Sequence, residues 1–138
     1  MNNYDSIVDA ILAAYPDTLA IYLFGSWGTP YQRTDSDLDI AVLLPHDIAV
    51  DVDLMNWATL NGELSYVSRT DYVDLVNLQT AATGIQAEII STGKVVFCRD
   101  DDARVEFEAH VLSMHQDLNI QREPLYQDMM AGSRATQP

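Results

Sequence analysis

Cysteine, basic side chains and long apolar runs are what this 138-residue chain has least of, and each shortage closes off a class of protein. The single cysteine, Cys98, can form no internal disulfide and no cysteine-based metal site, as expected of a protein in a reducing cytosol. Seven Lys and Arg stand against 21 Asp and Glu, a formal net charge of -14. Such a surface repels phosphate backbones, so direct nucleic-acid binding is not expected, whereas a basic protein partner or bound cations are attracted. No apolar stretch approaches the roughly 18 residues needed to span a bilayer, and the opening MNNYDSIVDA has neither the basic nor the apolar region of a signal peptide. A cytoplasmic location without membrane attachment is the expectation. No repeat, linker or low-complexity block divides the chain.

What is present suits one core, with 48% hydrophobic residues against 20% charged. Ile7, Val8, Ile11, Leu12 and Tyr15 recur at helical spacing, and Pro16 ends that helix. The runs LAIYLF (19–24), stopped by Gly25, and DLDIAVLL (37–44), stopped by Pro45, predict two central strands. Val50, Leu54, Trp57, Leu60 and Leu64 predict a second helix, with Asp47 or Asp51 placed to cap it. DYVDLVNL (71–78) predicts a third strand, Ile85 and Ile89 a short helix closed by Gly93, and KVVFC (94–98) a fourth strand. A last helix carries Phe107, Val111, Met114 and Leu118 from a start near Asp100 to Asp102. The order αββαβαβα predicts an α/β (α+β) domain over residues 1–118. Residues 119–138 lose periodicity and predict a tail that is flexible or binds a partner.

The segment LFGSWGTPYQRTDSDLDIAVLL (23–44) carries chemistry that folding alone does not require. Alternation along a strand points Asp37 and Asp39 the same way, roughly 6 to 7 Å apart, with Leu38, Ile40 and Val42 on the other face. At an effective dielectric near 20, two carboxylates that close repel by about 2 to 3 kcal/mol unless a cation lies between them. All-oxygen ligation selects a hard ion, Mg2+ or Mn2+, that takes further ligands from water and substrate phosphates. Gly25 and Ser26 leave the preceding strand at a turn where backbone N–H groups and a hydroxyl can hold a phosphate. Asp74, set among Tyr72, Val73, Leu75 and Val76, offers a third carboxylate if the third strand lies beside the second, and Asp71 is its rival. Three carboxylates and bound metal would fit phosphoryl or nucleotidyl transfer, with Asp74 also able to accept the proton of the attacking hydroxyl. Asp35 shapes the loop and Arg33 reads as an exposed cation amid acids. Trp27 can cover a base or the core. His46, His110 and His115 lack ligand spacing and read as surface residues.

Gly25-Ser26, ten intervening residues, Asp37-Leu38-Asp39 and a later Asp74 in VDLV together resemble the signature of the polymerase-beta-like nucleotidyltransferases. Over about residues 5–118 the chain is similar to the minimal nucleotidyltransferases, the MNT antitoxins paired with HEPN-domain ribonuclease toxins. The resemblance implies a mixed sheet of about four strands flanked by helices, metal at Asp37, Asp39 and Asp74, and nucleotide phosphates at Gly25 and Ser26. It further implies transfer of AMP from ATP to a hydroxyl, a tyrosine of the cognate HEPN toxin, with Mg2+ or Mn2+ as cofactor. Two other readings stand beside this one. An aminoglycoside-type transferase acting on a small molecule needs a second wall that 138 residues barely supply. A non-catalytic acidic module that neutralises its partner by contact leaves the three acids unexplained.

Overall fold

The computed structural model describes residues 4–25 and 38–116. Helix α1 (Asp5–Ala14) leads into strand β1 (Ala20–Phe24), followed by β2 (Leu38–Leu43), the short helix α2 (His46–Ala49) and the long helix α3 (Leu54–Ser68). Strand β3 (Val73–Asn77), a single 3-10 turn (Leu78–Thr80), helix α4 (Thr83–Thr92) and strand β4 (Lys94–Cys98) complete the sheet. Helix α5 runs over residues 101–116. The strands lie in the order β3-β2-β1-β4; β1 is antiparallel to β2 and β4, and β2 is parallel to β3, so the sheet is mixed.

Strands β1 and β2 are central because both of their faces are apolar and both are covered. Ile21, Leu23, Leu38, Ile40 and Val42 pack against Ile7 and Ile11 of α1 and Leu60 and Leu64 of α3. Ala20, Tyr22, Ala41 and Leu43 face the other way, onto Leu78, Ile89 of α4 and Phe107 of α5. Each such Val, Leu or Ile side chain, taken fully from water, contributes about 1.5 to 3 kcal/mol before the entropy of ordering is counted.

Helix α3 starts later than its apolar spacing predicts. Asp53, rather than Asp47 or Asp51, is the N-cap: its carboxylate accepts from Met55 N at 2.8 Å and Asn56 N at 3.2 Å. The segment expected to begin the helix forms α2 instead, and Val50 lies outside both helices, 59% exposed.

Strand β3 is an edge strand whose outward backbone is closed by α3. Asn61 Nδ2 donates to Val73 O (3.1 Å) and Trp57 Nε1 to Leu75 O (3.3 Å). The two donors are four residues apart on one helix face, matching carbonyls two apart on the strand. Exposed strand edges invite pairing with other chains, and these two bonds reduce that exposure. No helix among the described residues is long and apolar enough to cross a membrane.

Candidate active site

The site forms where β1 ends and β2 and β3 begin. In the antiparallel ladder Phe24 stands opposite Asp39, and in the parallel ladder Asp39 stands opposite Asp74. Directly paired residues share a face of the sheet and neighbouring strands are about 4.8 Å apart, so the Asp39 and Asp74 carboxylates rise side by side from adjacent strands. The hydrogen bond from Leu38 N to Tyr72 O, 2.8 Å, continues the ladder beyond this pair and fixes the start of β3 against β2.

Gly25 follows Phe24 directly and turns the chain with φ +75°, a left-handed conformation that glycine adopts without a side-chain clash. A Cβ there would collide with Asp39 Oδ2 and lie 3.2 Å from Asp39 Cγ. The sequence reading assigns the missing side chain to phosphate approach; the structure adds that the same space holds the Asp39 carboxylate. Gly25 and Asp39 therefore occupy one site.

Asp39 is half-buried and Asp74 exposed. Asp74 has apolar neighbours in sequence and yet stands open to water. Val73 and Leu75 point into the core, while Asp74 alternates to the open face of an edge strand. Its place beside Asp39 is as anticipated.

Ser26 and Asp37 lie outside the described residues, as do Trp27, Arg33 and Asp35. Among the described residues no three His, Cys, Asp or Glu side chains gather as a metal site. Asp39 and Asp74 alone supply a hard, anionic oxygen pair, a donor set that suits Mg2+ or Mn2+ and not a soft metal.

On the same face of the sheet, further back along β1, a polar cluster joins β1 to α5. The Tyr22 hydroxyl, on a side chain only 1% exposed, donates to Glu108 Oε2 at 2.6 Å, and Arg104 Nη1 donates to the same oxygen at 2.9 Å. Burial and the bond to Glu108 push the Tyr22 phenol well above its usual range, and the Cys98 thiol and Glu108 carboxylate hold the Arg104 guanidinium above its own. The cluster anchors α5 two residues before Phe24. The sequence reading passes it over, its only local trace being the four-residue spacing of Arg104 and Glu108.

Comparison with known proteins gives the family. The family model described as polymerase beta, nucleotidyltransferase, matches residues 7–102. The protein adenylyltransferase MntA of Shewanella oneidensis is 31% identical over 133 residues, covering 96% of this chain and 91% of the relative. A crystal structure of a toxin-antitoxin with AMP-PNP superposes with a TM-score of 0.76 at 30% identity, covering 94% of this chain and 99% of the other. A structure of a tri-AMPylated Shewanella oneidensis HEPN toxin in complex with its MNT antitoxin gives 0.71 at 30% identity, over 93% and 96%. A glycine turn packed on an aspartate, a second aspartate across the parallel ladder, and a match over most of the chain lead to one conclusion: this chain belongs to the polymerase beta nucleotidyltransferase family, as a minimal nucleotidyltransferase of the MNT antitoxin kind.

Proposed function

We propose that this protein transfers AMP from ATP to a hydroxyl, a tyrosine, on a HEPN-type ribonuclease toxin and thereby acts as its antitoxin. The observation that carries the reading is the direct pairing of Asp39 with Asp74 beside the Gly25 turn. The names of the relatives, an adenylyltransferase and a toxin-antitoxin complex with AMP-PNP, support it.

In this reading the Gly25-Ser26 turn grips the nucleotide phosphates through backbone N–H groups and the serine hydroxyl. Asp37, Asp39 and Asp74 hold Mg2+ or Mn2+. When bound, the metal offsets charge on the triphosphate and lowers the pKa of the attacking hydroxyl. The tyrosine oxygen forms a bond to the α-phosphorus, the bond to the bridging oxygen breaks, and pyrophosphate leaves. Asp74 accepts the tyrosine proton. Its exposure on an edge strand suits that role, because a hydroxyl carried by a macromolecule has to reach it from outside.

Residues 1–118 constitute the transferase domain in this account, and 119–138 a tail that is flexible or binds the partner. Silencing follows from bulk and negative charge added where the toxin binds RNA phosphates. Incubating the purified protein with its HEPN toxin, ATP and Mg2+ and measuring the intact toxin mass tests the reading. Gain of whole adenylyl groups is expected, and an unchanged toxin mass contradicts it.

A further inference from the structure

At the far end of β3, on the α2- and α3-covered side of the sheet opposite the Asp39 and Asp74 carboxylates, lies an open groove of about 380 Å3, lined by Val50, Val52, Leu54, Trp57, Asn77 and Thr80. Strands β2 and β3 are parallel, and Asn77 lies three residues beyond Asp74, so the groove begins roughly 10 Å along the sheet from the site. Two of its apolar side chains are open to water, Leu54 at 82% and Val50 at 59%, and Met55, next to Leu54 on α3, is 75% exposed. Leu54 and Met55 stand outside the core, to which α3 contributes Trp57, Leu60, Leu64 and Val67. Trp57 is held at the groove by its bond to Leu75 O, so that wall is fixed rather than adaptable.

Charge decides what suits this groove. Asp47, Asp51 and Asp53, all exposed, lie in the segments that form it, and no Lys or Arg occurs anywhere from residue 34 to residue 68. Asp53 is engaged as the cap of α3, but its charge remains. An occupant that buried the apolar side chains beside those carboxylates would be favoured if it carried cations at its flanks and disfavoured if it carried acids.

We propose that this groove is a docking site for the protein acceptor, which enters it with a segment bearing an apolar anchor flanked by Lys or Arg. The inference rests on the reading that the acceptor is a protein. Docking here engages the acceptor away from the nucleotide site, across the sheet from Asp39 and Asp74, and leaves that site untouched. It accounts for exposed Leu54 and Met55 on a domain with little wall of its own to enclose a substrate.

The test uses the full chain and its HEPN toxin with two exposed-surface variants, Leu54→Ser/Met55→Ser and Asp47→Lys/Asp51→Lys. Each is expected to weaken toxin binding roughly tenfold or more. The KM for ATP, and kcat at saturating toxin, are expected to stay within about twofold of the parent. Added salt is expected to weaken parent binding more than that of the charge-reversed variant. Toxin affinity within about twofold of the parent in both variants, or no binding by the parent, overturns the proposal. Binding is measured apart from AMP transfer. If the parent binds and transfers no AMP while both variants lose affinity, the groove stands and the enzymatic reading falls.

Discussion

Gly25 and Asp39 share one volume: the space that a side chain at Gly25 would fill is occupied by the Asp39 carboxylate. Two strands are brought together so that the turn ending one makes room for the acid opening the next. A glycine that looks like simple punctuation between strands is thereby tied to the chemistry.

Gly25→Ala is expected to be costly in two ways. The left-handed φ costs about 1 to 2 kcal/mol for an alanine, and the new methyl group drives Asp39 from its position. Loss of AMP transfer should accompany the drop in melting temperature. Adding Asp39→Ala to Gly25→Ala removes the collision, so the two stability losses should fail to add by about 0.5 to 3 kcal/mol, with activity still absent. Strict additivity in denaturant unfolding would show that the two residues do not contend for space.

Asp39→Asn isolates the metal. Mg2+ or Mn2+ binding only the folded state raises stability by mass action, so the parent should melt higher as metal is added and the variant should not. Stripped of metal with a chelator, the variant should be as stable as the parent or more so, because one of two facing carboxylates no longer repels the other. Equal metal-induced shifts in both proteins would remove Asp39 from the metal site.

The Tyr22 cluster predicts a pH dependence with a definite sign. The folded-state pKa of Tyr22 is raised above the ordinary value of 10.0, so its contribution is complete below about pH 10 and is lost as pH rises through the folded value. Tyr22→Phe should cost about 1.5 to 3 kcal/mol at neutral pH, where a hydrogen bond to a charged group is removed. The stability gap between parent and variant should narrow as pH climbs above 10. A gap that stays constant from pH 7 to 11 would mean that Tyr22 does not titrate with unfolding.

Closure of the β3 edge can be weighed with Asn61→Leu, which leaves the Val73 carbonyl without that donor. A loss of about 1 to 3 kcal/mol is expected in urea unfolding. No loss would mean that water serves the carbonyl equally well.

All four strands were legible as short apolar runs, and three of them are marked off by a turn residue: Gly25 after β1, Pro45 after β2 and Gly93 before β4. The cap of α3 was not. Asp47, Asp51 and Asp53 are equivalent candidates on spacing alone, and what selects Asp53 is tertiary: Ala49 and Ile48 pack on the core as the separate helix α2. Asp74 was legible as a partner of Asp39, whereas the edge position of β3 is set by the strand order of the sheet and not by any local pattern. The bond between Tyr22 and Glu108 joins residues 86 apart, and no local pattern announces it.

The most direct test of the central claim is the fate of the toxin after contact ends. HEPN toxin incubated with the parent protein, ATP and Mg2+ and then separated from it should remain inactive as a ribonuclease and carry added adenylyl mass. Toxin treated identically with the Asp39→Asn variant should recover full activity at its original mass. If the two preparations protect equally, or if the separated toxin from the parent regains activity, neutralisation is by contact alone and the transferase account is wrong.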